Sequence, residues 1–419
     1  MFLDGLRVVD LSRLLPGGVA SAMLTAMGAE VIKVEEPVGG DYLRAMPPAG
    51  PRGNIFFERL HRGQRSLAVD IRDARGCQVV MGLAAQADVL LEGFRPGVME
   101  RLGLGYDALS EANPRLIYCS LTAYGQADRA GDADRRAAAH DLNIVALSGL
   151  LSYMKDRSGW PMAPPLQLAD VAAGGMLAVT AVLAALIERW RTGRGQRLDV
   201  AMLDGLRILG VLQRTEGAVI GCHPAREDLP LAGNLACYNV YRTAEGGAVA
   251  LGALEPKFWS AFCEGVGRPD WVARQFAPAP AQQALMAEVA AVFAARTRRD
   301  WEEFAGRCDC CLTPVLEPGE AETHPLTEGR PPDDVFPVAT RPGKAAVKGI
   351  GGIGAAATMA ASSEVSRDAA PELGQDTVAI LQELGYPDEN IRAWAEAGII
   401  RAGRPRLSGR SDLAEPHQS

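Results

Sequence analysis

Short β-branched runs alternate with apolar helical stretches through the first two hundred residues. Leu6-Arg-Val-Val-Asp-Leu-Ser12 and Glu30-Val-Ile-Lys-Val-Glu-Glu36 read as strands, and the Ala/Met/Leu-rich stretch 19–27 between them reads as a helix. Such a β-helix-β unit predicts parallel strands joined by a right-handed crossover. Segments 88–92 and 116–120 extend the series, so the first half is predicted to be a doubly wound α/β unit around a parallel sheet. The longest apolar stretch, residues 171–187, contains Gly174-Gly175 and is bounded by Asp170 and Glu188. At the short limit of a membrane span, it is expected to be a buried core helix. Residues 196–204 then read as a strand running into a further helix.

The texture changes beyond residue 225. Residues 238–252 predict a hairpin with Glu245-Gly246-Gly247 in its turn, followed by helical patterns at 258–265 and 282–295. The expected organisation is a large domain over 1–224, a small α+β domain over 225–332 ending near Pro331-Pro332, and a C-terminal part, 333–419, returning to the large domain. Within that part, the Gly/Ala/Ser-rich stretch 341–367 reads as a mobile linker, and its glycine run 349–354 lacks the Lys-Ser/Thr of a phosphate loop. Residues 372–385 read as an amphipathic helix stopped by Gly385.

Composition narrows the function classes. A formal charge of −8 and a pI near 5.4 over 419 residues argue against nucleic acid as a partner, and no dense Lys/Arg run marks a lipid-facing patch. Eight scattered cysteines and an N-terminus without a signal-like segment lead to an expected cytoplasmic location. The cluster Cys308-Asp-Cys310-Cys311 lacks a second ligand pair at zinc spacing, so no metal is expected.

The turn after the first strand, Ser12-Arg-Leu-Leu-Pro-Gly-Gly, lacks the G-x-G-x-x-G of dinucleotide folds, which makes an acid at Glu35 or Glu36 a weak sign of a nicotinamide enzyme. Arginines at 62, 65, 72, 95 and 101 suggest guanidinium groups converging on a phosphorylated nucleotide tail, with Phe94 available to stack on a base; solvated surface arginines are the alternative. His140 stands thirty residues ahead of Asp170. An imidazole and a carboxyl brought together from separate segments can remove a proton from one face of a carbon and return one to the other. Asp170 could equally cap the helix that follows it, and a lone His in an Ala-rich stretch is often structural.

Several stretches together resemble the family III CoA-transferases and, within that superfamily, the α-methylacyl-CoA racemases. They are Leu6-Arg-Val-Val-Asp-Leu-Ser, Met27-Gly-Ala-Glu-Val-Ile-Lys-Val-Glu-Glu-Pro, residues 88–105 with Glu92-Gly-Phe-Arg-Pro-Gly, Ala139-His-Asp-Leu-Asn143, residues 193–205, and Leu251-Gly-Ala-Leu-Glu-Pro-Lys-Phe-Trp. The resemblance implies a large Rossmann-like domain, a smaller domain and an interlocked homodimer. It further implies coenzyme A as part of the substrate, with no separate cofactor. The CoA tail would lie along Val69, Asp70, Ile71, Arg72, Gly93, Phe94, Arg95 and Arg101, with Ala139, Asp141 and Asn143 as further binding positions.

By the same resemblance, Asp170 serves both chemistries of the superfamily. In CoA transfer it is the nucleophile that carries the acyl group; in racemisation it is one of two acid/base groups, with His140 as the other and Glu255 orienting the imidazole. Backbone N–H groups around Asp170 are expected to receive the enolate oxygen. The presence of His140 and Glu255 favours a racemase of 2-methylacyl-CoA thioesters, as in fatty acid metabolism. CoA transfer is the alternative, and a non-enzymatic CoA-ester-binding subunit is a third reading. Departures from the racemase pattern are Glu36 for a basic residue, Ala139 and Ala169 for glycines, Ile144 for a tyrosine, and Ala127-Asp-Arg129 for Gly-Pro.

Overall fold

The computed structural model describes residues 2–51, 53–126, 136–156, 158–326 and 369–403, with the paired dipeptides 338–339/365–366 and 352–353/357–358. The remainder of the linker expected at 341–367, the turn at 127–129 and Pro331-Pro332 lie outside the described residues. The chain divides into two compact units, one of residues 1–209 with 333–419, the other of 210–332. This division falls earlier than the boundary expected after residue 224. Gly210 leaves helical geometry (φ −89°, ψ 20°), which ends one helix at Leu209 and starts the next, Val211–Ile220, with the smaller unit.

The larger unit is built on six parallel strands: β1 (Arg7–Asp10), β2 (Glu30–Glu35), β3 (Arg65–Val69), β4 (Val89–Glu92), β5 (Ile117–Thr122) and β6 (Gln196–Ala201). Their order is 3-2-1-4-5-6, so the winding reverses on either side of β1. In open α/β sheets ligands sit beyond the carboxyl ends of strands at such a reversal. Because helices cover both faces, the strands are apolar on both sides: Val8, Val31, Leu91 and Ile117 pack into one core, and Val9, Ile32, Leu67 and Leu90 into the other.

Four helices of this unit matter for the site: α1 (Leu14–Ala26), α2 (Asp141–Leu147), α3 (Leu168–Thr192) and α4 (Met202–Leu209). By length and composition α3 could cross a membrane, but Ala173, Ala178, Val182 and Leu186 along it are buried in the core shared with Val8, Leu91 and Ile117. Its first nine residues, Leu168–Met176, are wound as a π-helix before α-helical winding resumes at Leu177. Such wide turns are rare and concentrate at functional sites.

The smaller unit contains the antiparallel strands β7 (Tyr238–Arg242), β8 (Ala248–Gly252) and β9 (Leu312–Pro314). The β7–β8 turn closes through Thr243 N–H donating to Gly247 O at 2.9 Å, with Gly246 in the left-handed region at φ +89°. Three tryptophans, 259, 271 and 301, join Phe262 and Phe293 in its core. The helix α5 (Pro256–Gly265) supplies Trp259 and Phe262.

The C-terminal part returns to the large sheet. Helix α6 (Thr377–Glu383) places Ile380 and Leu381 in the second core, and β10 (Ile400–Arg401) pairs antiparallel with Ala68 and Val69, completing the β3 edge.

Candidate active site

His140 is the residue that opens α2. Its extended backbone (φ −118°, ψ 173°) places it at the helix N-terminus, where its N–H donates to Asn143 Oδ1 at 3.0 Å. Asn143 and Ile144 in turn donate their N–H groups to the His140 carbonyl, at 2.9 and 3.2 Å. Asn143 thus fixes the backbone from which the imidazole projects. The next residue, Asp141, reaches the start of α3: its Oδ1 accepts from Ala169 N–H at 2.7 Å and from Asp170 N–H at 2.9 Å. One carboxylate oxygen therefore bolts together the two segments that carry His140 and Asp170.

Asp170 is half-buried, and its carboxyl is pushed up to about 6 from an ordinary 3.8. Burial is the main cause and the Asp141 charge the second, while the His140 imidazole pulls the other way. Close packing behind the site fixes the π-wound segment: a Cβ on Gly175 would come within 2.8 Å of Val19 Cβ, and one on Gly205 of α4 within 2.5 Å of Ala173 O. Ala169 is fully buried, so the residue ahead of Asp170 is part of that packing.

Two expectations about Asp170 are corrected. It does not cap α3, since Gln167 precedes the helix and Asp170 lies within its first turn. Nor are the N–H groups around it open to an enolate oxygen. Those of Ala169 and Asp170 go to Asp141, that of Leu168 to Leu166 O at 3.1 Å, and that of Val171 to Gln167 O at 3.0 Å. The reason is that the bolt uses the very donors a free helix start would present.

Glu255 stands in the smaller unit as the exposed residue before α5, its carbonyl accepting from Phe258 and Trp259 N–H at 3.0 and 3.1 Å. In the same unit Cys308, Cys310 and Cys311 are free thiols, Cys310 buried and Cys311 exposed.

The positions expected along the CoA tail divide into two groups. Val69, Ile71 and Phe94 line a cleft at the carboxyl ends of β1 to β3 together with Ser12, Arg13 and Glu36. Gly93, Arg95 and Arg101 are exposed beyond the end of β4, and the Phe94 N–H donates to Glu92 Oε2 at 2.8 Å. Arg72 is 70 % exposed and folds back on Asp70, Nε to Oδ1 at 2.8 Å. Ala139 is half-buried and packs against the first core. The reading of Arg65 as a ligand contact is overturned: it opens β3 at the amino end of the sheet and pairs with Glu30 at 2.9 Å and Glu383 at 2.7 Å.

Sequence reasoning missed a buried network beneath the cleft. Lys33 is fully buried, its Nζ donating to Ser12 O at 2.5 Å and lying 3.2 Å from Asp41 Oδ2 and 3.4 Å from Asp10 Oδ2. Burial works against its charge, yet Asp10, Asp41 and Glu35 hold it above the ordinary lysine range. Adjacent His61, also fully buried, is pushed down to about 4 by burial and by Lys33. A lysine in the middle of Val-Ile-Lys33-Val, in a strand expected to be covered on both faces, was the available signal.

A sequence model of CoA-transferase family III matches residues 3–377. The chain belongs to this family. Among its relatives, α-methylacyl-CoA racemase of Homo sapiens is 34 % identical across 97 % of this chain and 100 % of the human protein. A probable fatty acyl-CoA transferase of Mycobacterium tuberculosis is 37 % identical across 71 % of this chain and 78 % of its own length. Among solved structures, a CAIB/BAIF family protein from Brucella suis superposes with a TM-score of 0.72 at 27 % identity, covering 91 % of this chain and 98 % of that one. Family III thus includes relatives of comparable identity named for racemisation and for CoA transfer.

Proposed function

We propose that this family III protein interconverts the (R) and (S) forms of a 2-methylacyl-CoA thioester by 1,1-proton transfer at C2, with His140 and Asp170 as the paired acid/base groups. The Asp141 bolt is the observation that supports the reading, because it joins the segments that carry the two groups and helps to raise Asp170. A carboxyl near 6 lies close enough to neutrality to take up and release a proton, as a general acid/base requires. In one direction the His140 imidazole removes the C2 proton and protonated Asp170 delivers one to the opposite face. In the other direction the roles exchange. The pair shares one proton overall and titrates as a unit.

Glu255 is proposed to orient His140, and Val69, Asp70, Ile71, Arg72, Gly93, Phe94, Arg95 and Arg101 to hold the CoA tail. Three of these, Val69, Ile71 and Phe94, line the cleft at the sheet reversal. The placement of Asp141 and Asn143 supports a positioning role for both. A cytoplasmic homodimer is proposed. Exposed apolar side chains on α3 (Ile187, Trp190) and on Val211–Ile220 (Leu212, Val219) suit a second copy as the partner.

Incubating (R)-2-methylacyl-CoA in deuterium oxide should introduce deuterium at C2 and yield the (S) epimer. Absence of exchange by folded, CoA-binding protein would refute the proposal. Relatives named for CoA transfer support a second reading, with Asp170 as acyl carrier. Under that reading hydroxylamine should modify Asp170 once acyl-CoA is added.

A further inference from the structure

The cleft at the carboxyl ends of β1 to β3 holds a cation to which the reading above gives no task. Arg13 precedes α1, and its guanidinium is held on several sides. Nη2 pairs with Glu36 Oε1 at 2.8 Å, and Nη1 donates to Tyr42 Oη at 3.1 Å. The group also lies 5.2 Å from the ring centre of Phe94 and 5.2 Å from that of Tyr42. Arg13 and Glu36 remain 28 % and 32 % exposed, so the pair faces the opening of the cleft rather than the core.

The backbone is built to put it there. Leu14, the following residue, is held at φ +61°, a left-handed conformation that branched side chains rarely adopt. Its N–H donates to both Asp41 carboxylate oxygens at 3.2 Å, and Asp41 is itself fixed by buried Lys33 at 3.2 Å. A strained turn anchored on a buried ion pair directs Arg13 across the cleft toward Phe94.

We propose that Arg13 is a specificity-determining contact for the nucleotide end of the CoA thioester, its guanidinium taking a phosphate group beside Phe94. This rests on the acyl-CoA reading of the site. Two of its five N–H donors are engaged among the described residues, which leaves others for phosphate oxygens. Glu36 serves as a neutralised anchor: paired, it orients the guanidinium; unpaired, it would repel the phosphate it stands beside.

Isothermal titration of the full-length protein with CoA, 3′-dephospho-CoA and pantetheine tests this. Arg13→Ala should weaken CoA about 30-fold, the size of a charged hydrogen bond, and leave pantetheine unaffected. Arg13→Ala/Glu36→Ala should recover about threefold of that loss, and Glu36→Ala alone, which frees the guanidinium but also removes a negative charge beside the phosphate, should change CoA affinity by less than Arg13→Ala. If the Arg13→Ala penalty disappears with 3′-dephospho-CoA, the contact is to the 3′-phosphate; if it persists there, the contact is to the diphosphate. Glu36→Ala weakening CoA as much as Arg13→Ala, an equal penalty on pantetheine, or unchanged CoA affinity in Arg13→Ala would each overturn the proposal. Arg13→Gln, which keeps a donor for Tyr42, should match Arg13→Ala and controls for lost folding. Wild type that fails to bind CoA removes the underlying acyl-CoA reading instead.

Discussion

Asp141→Asn separates the two jobs that Asp141 performs. The amide keeps an Oδ1 acceptor for the Ala169 and Asp170 N–H groups, held at 2.7 and 2.9 Å, but removes the negative charge beside Asp170. Asp170 lies about two pH units above its ordinary 3.8, a differential of roughly 3 kcal/mol between its charged and neutral forms. Burial accounts for the largest part and Asp141 for the next. Because burial is the larger cause of a shift of about two pH units, the Asp141 charge accounts for about one of them or less. The profile of kcat/KM for C2 exchange against pH, measured separately from each epimer, reads this directly because it reports the free enzyme. When Asp170 acts as base, activity falls as pH drops through about 6; when it acts as acid, activity falls as pH rises through that value. Both limbs should move toward acid by up to about one pH unit in Asp141→Asn. Asp141→Ala, which leaves two helix-start N–H groups without their acceptor, should instead lose about 1–3 kcal/mol of stability per group that water does not reach. An Asp141→Asn variant of unchanged melting temperature whose limbs stay put, or move toward base, refutes the electrostatic account of Asp170.

Further outcomes follow from the packing. His61 holds a folded value near 4 against 6.5, so the unfolded chain takes up its proton first as pH falls. Stability should therefore decline between about pH 7 and pH 4 by up to about 3 kcal/mol, and urea titrations of His61→Phe should show a shallower decline; an unchanged slope contradicts this. Gly205→Ala would set a methyl 2.5 Å from Ala173 O, and should cost about 1–3 kcal/mol in urea unfolding and slow C2 exchange by displacing the π-wound segment. Retained stability and rate would show that α3 yields there at no cost. Arg65→Ala should lower stability by about 1–2 kcal/mol, through its pairs with Glu30 and Glu383, and leave CoA affinity unchanged; weaker CoA binding would return Arg65 to the ligand.

The α/β character was legible because β1, β2, β4 and β5 are short β-branched runs buried on both faces, a composition that only a covered parallel sheet produces. β3 was not legible. It begins inside the polar run His61-Arg-Gly-Gln-Arg65, and that is why Arg65 was read as a ligand contact when it marks the amino end of a strand. β10 is two residues long and owes its existence to the open edge of β3, information that no local window contains. His140 and Asp170 could be named from their chemistry and from the resemblance. Asp141 could not be given its task, because the bolt joins residues 28 and 29 positions apart, and only the fold brings them together. The task of Arg13 is hidden from the sequence for a similar reason: its partners Glu36 and Tyr42 come from the connection after β2, and Phe94 from the one after β4.

The return of the chain to β3 bears on how the molecule is made. Ile400 and Arg401 close the edge formed by Ala68 and Val69, while residues 210–332 fold as a unit of their own between them in sequence. During synthesis the ribosome must deliver more than three hundred further residues after β3 before that edge is covered. For that interval β3 presents unpaired backbone groups to any extended chain nearby. The newborn protein is thus most exposed to mispairing at a strand whose side chains are already well chosen, and truncation before residue 400 should aggregate even though every residue of the proposed acid/base site has been made.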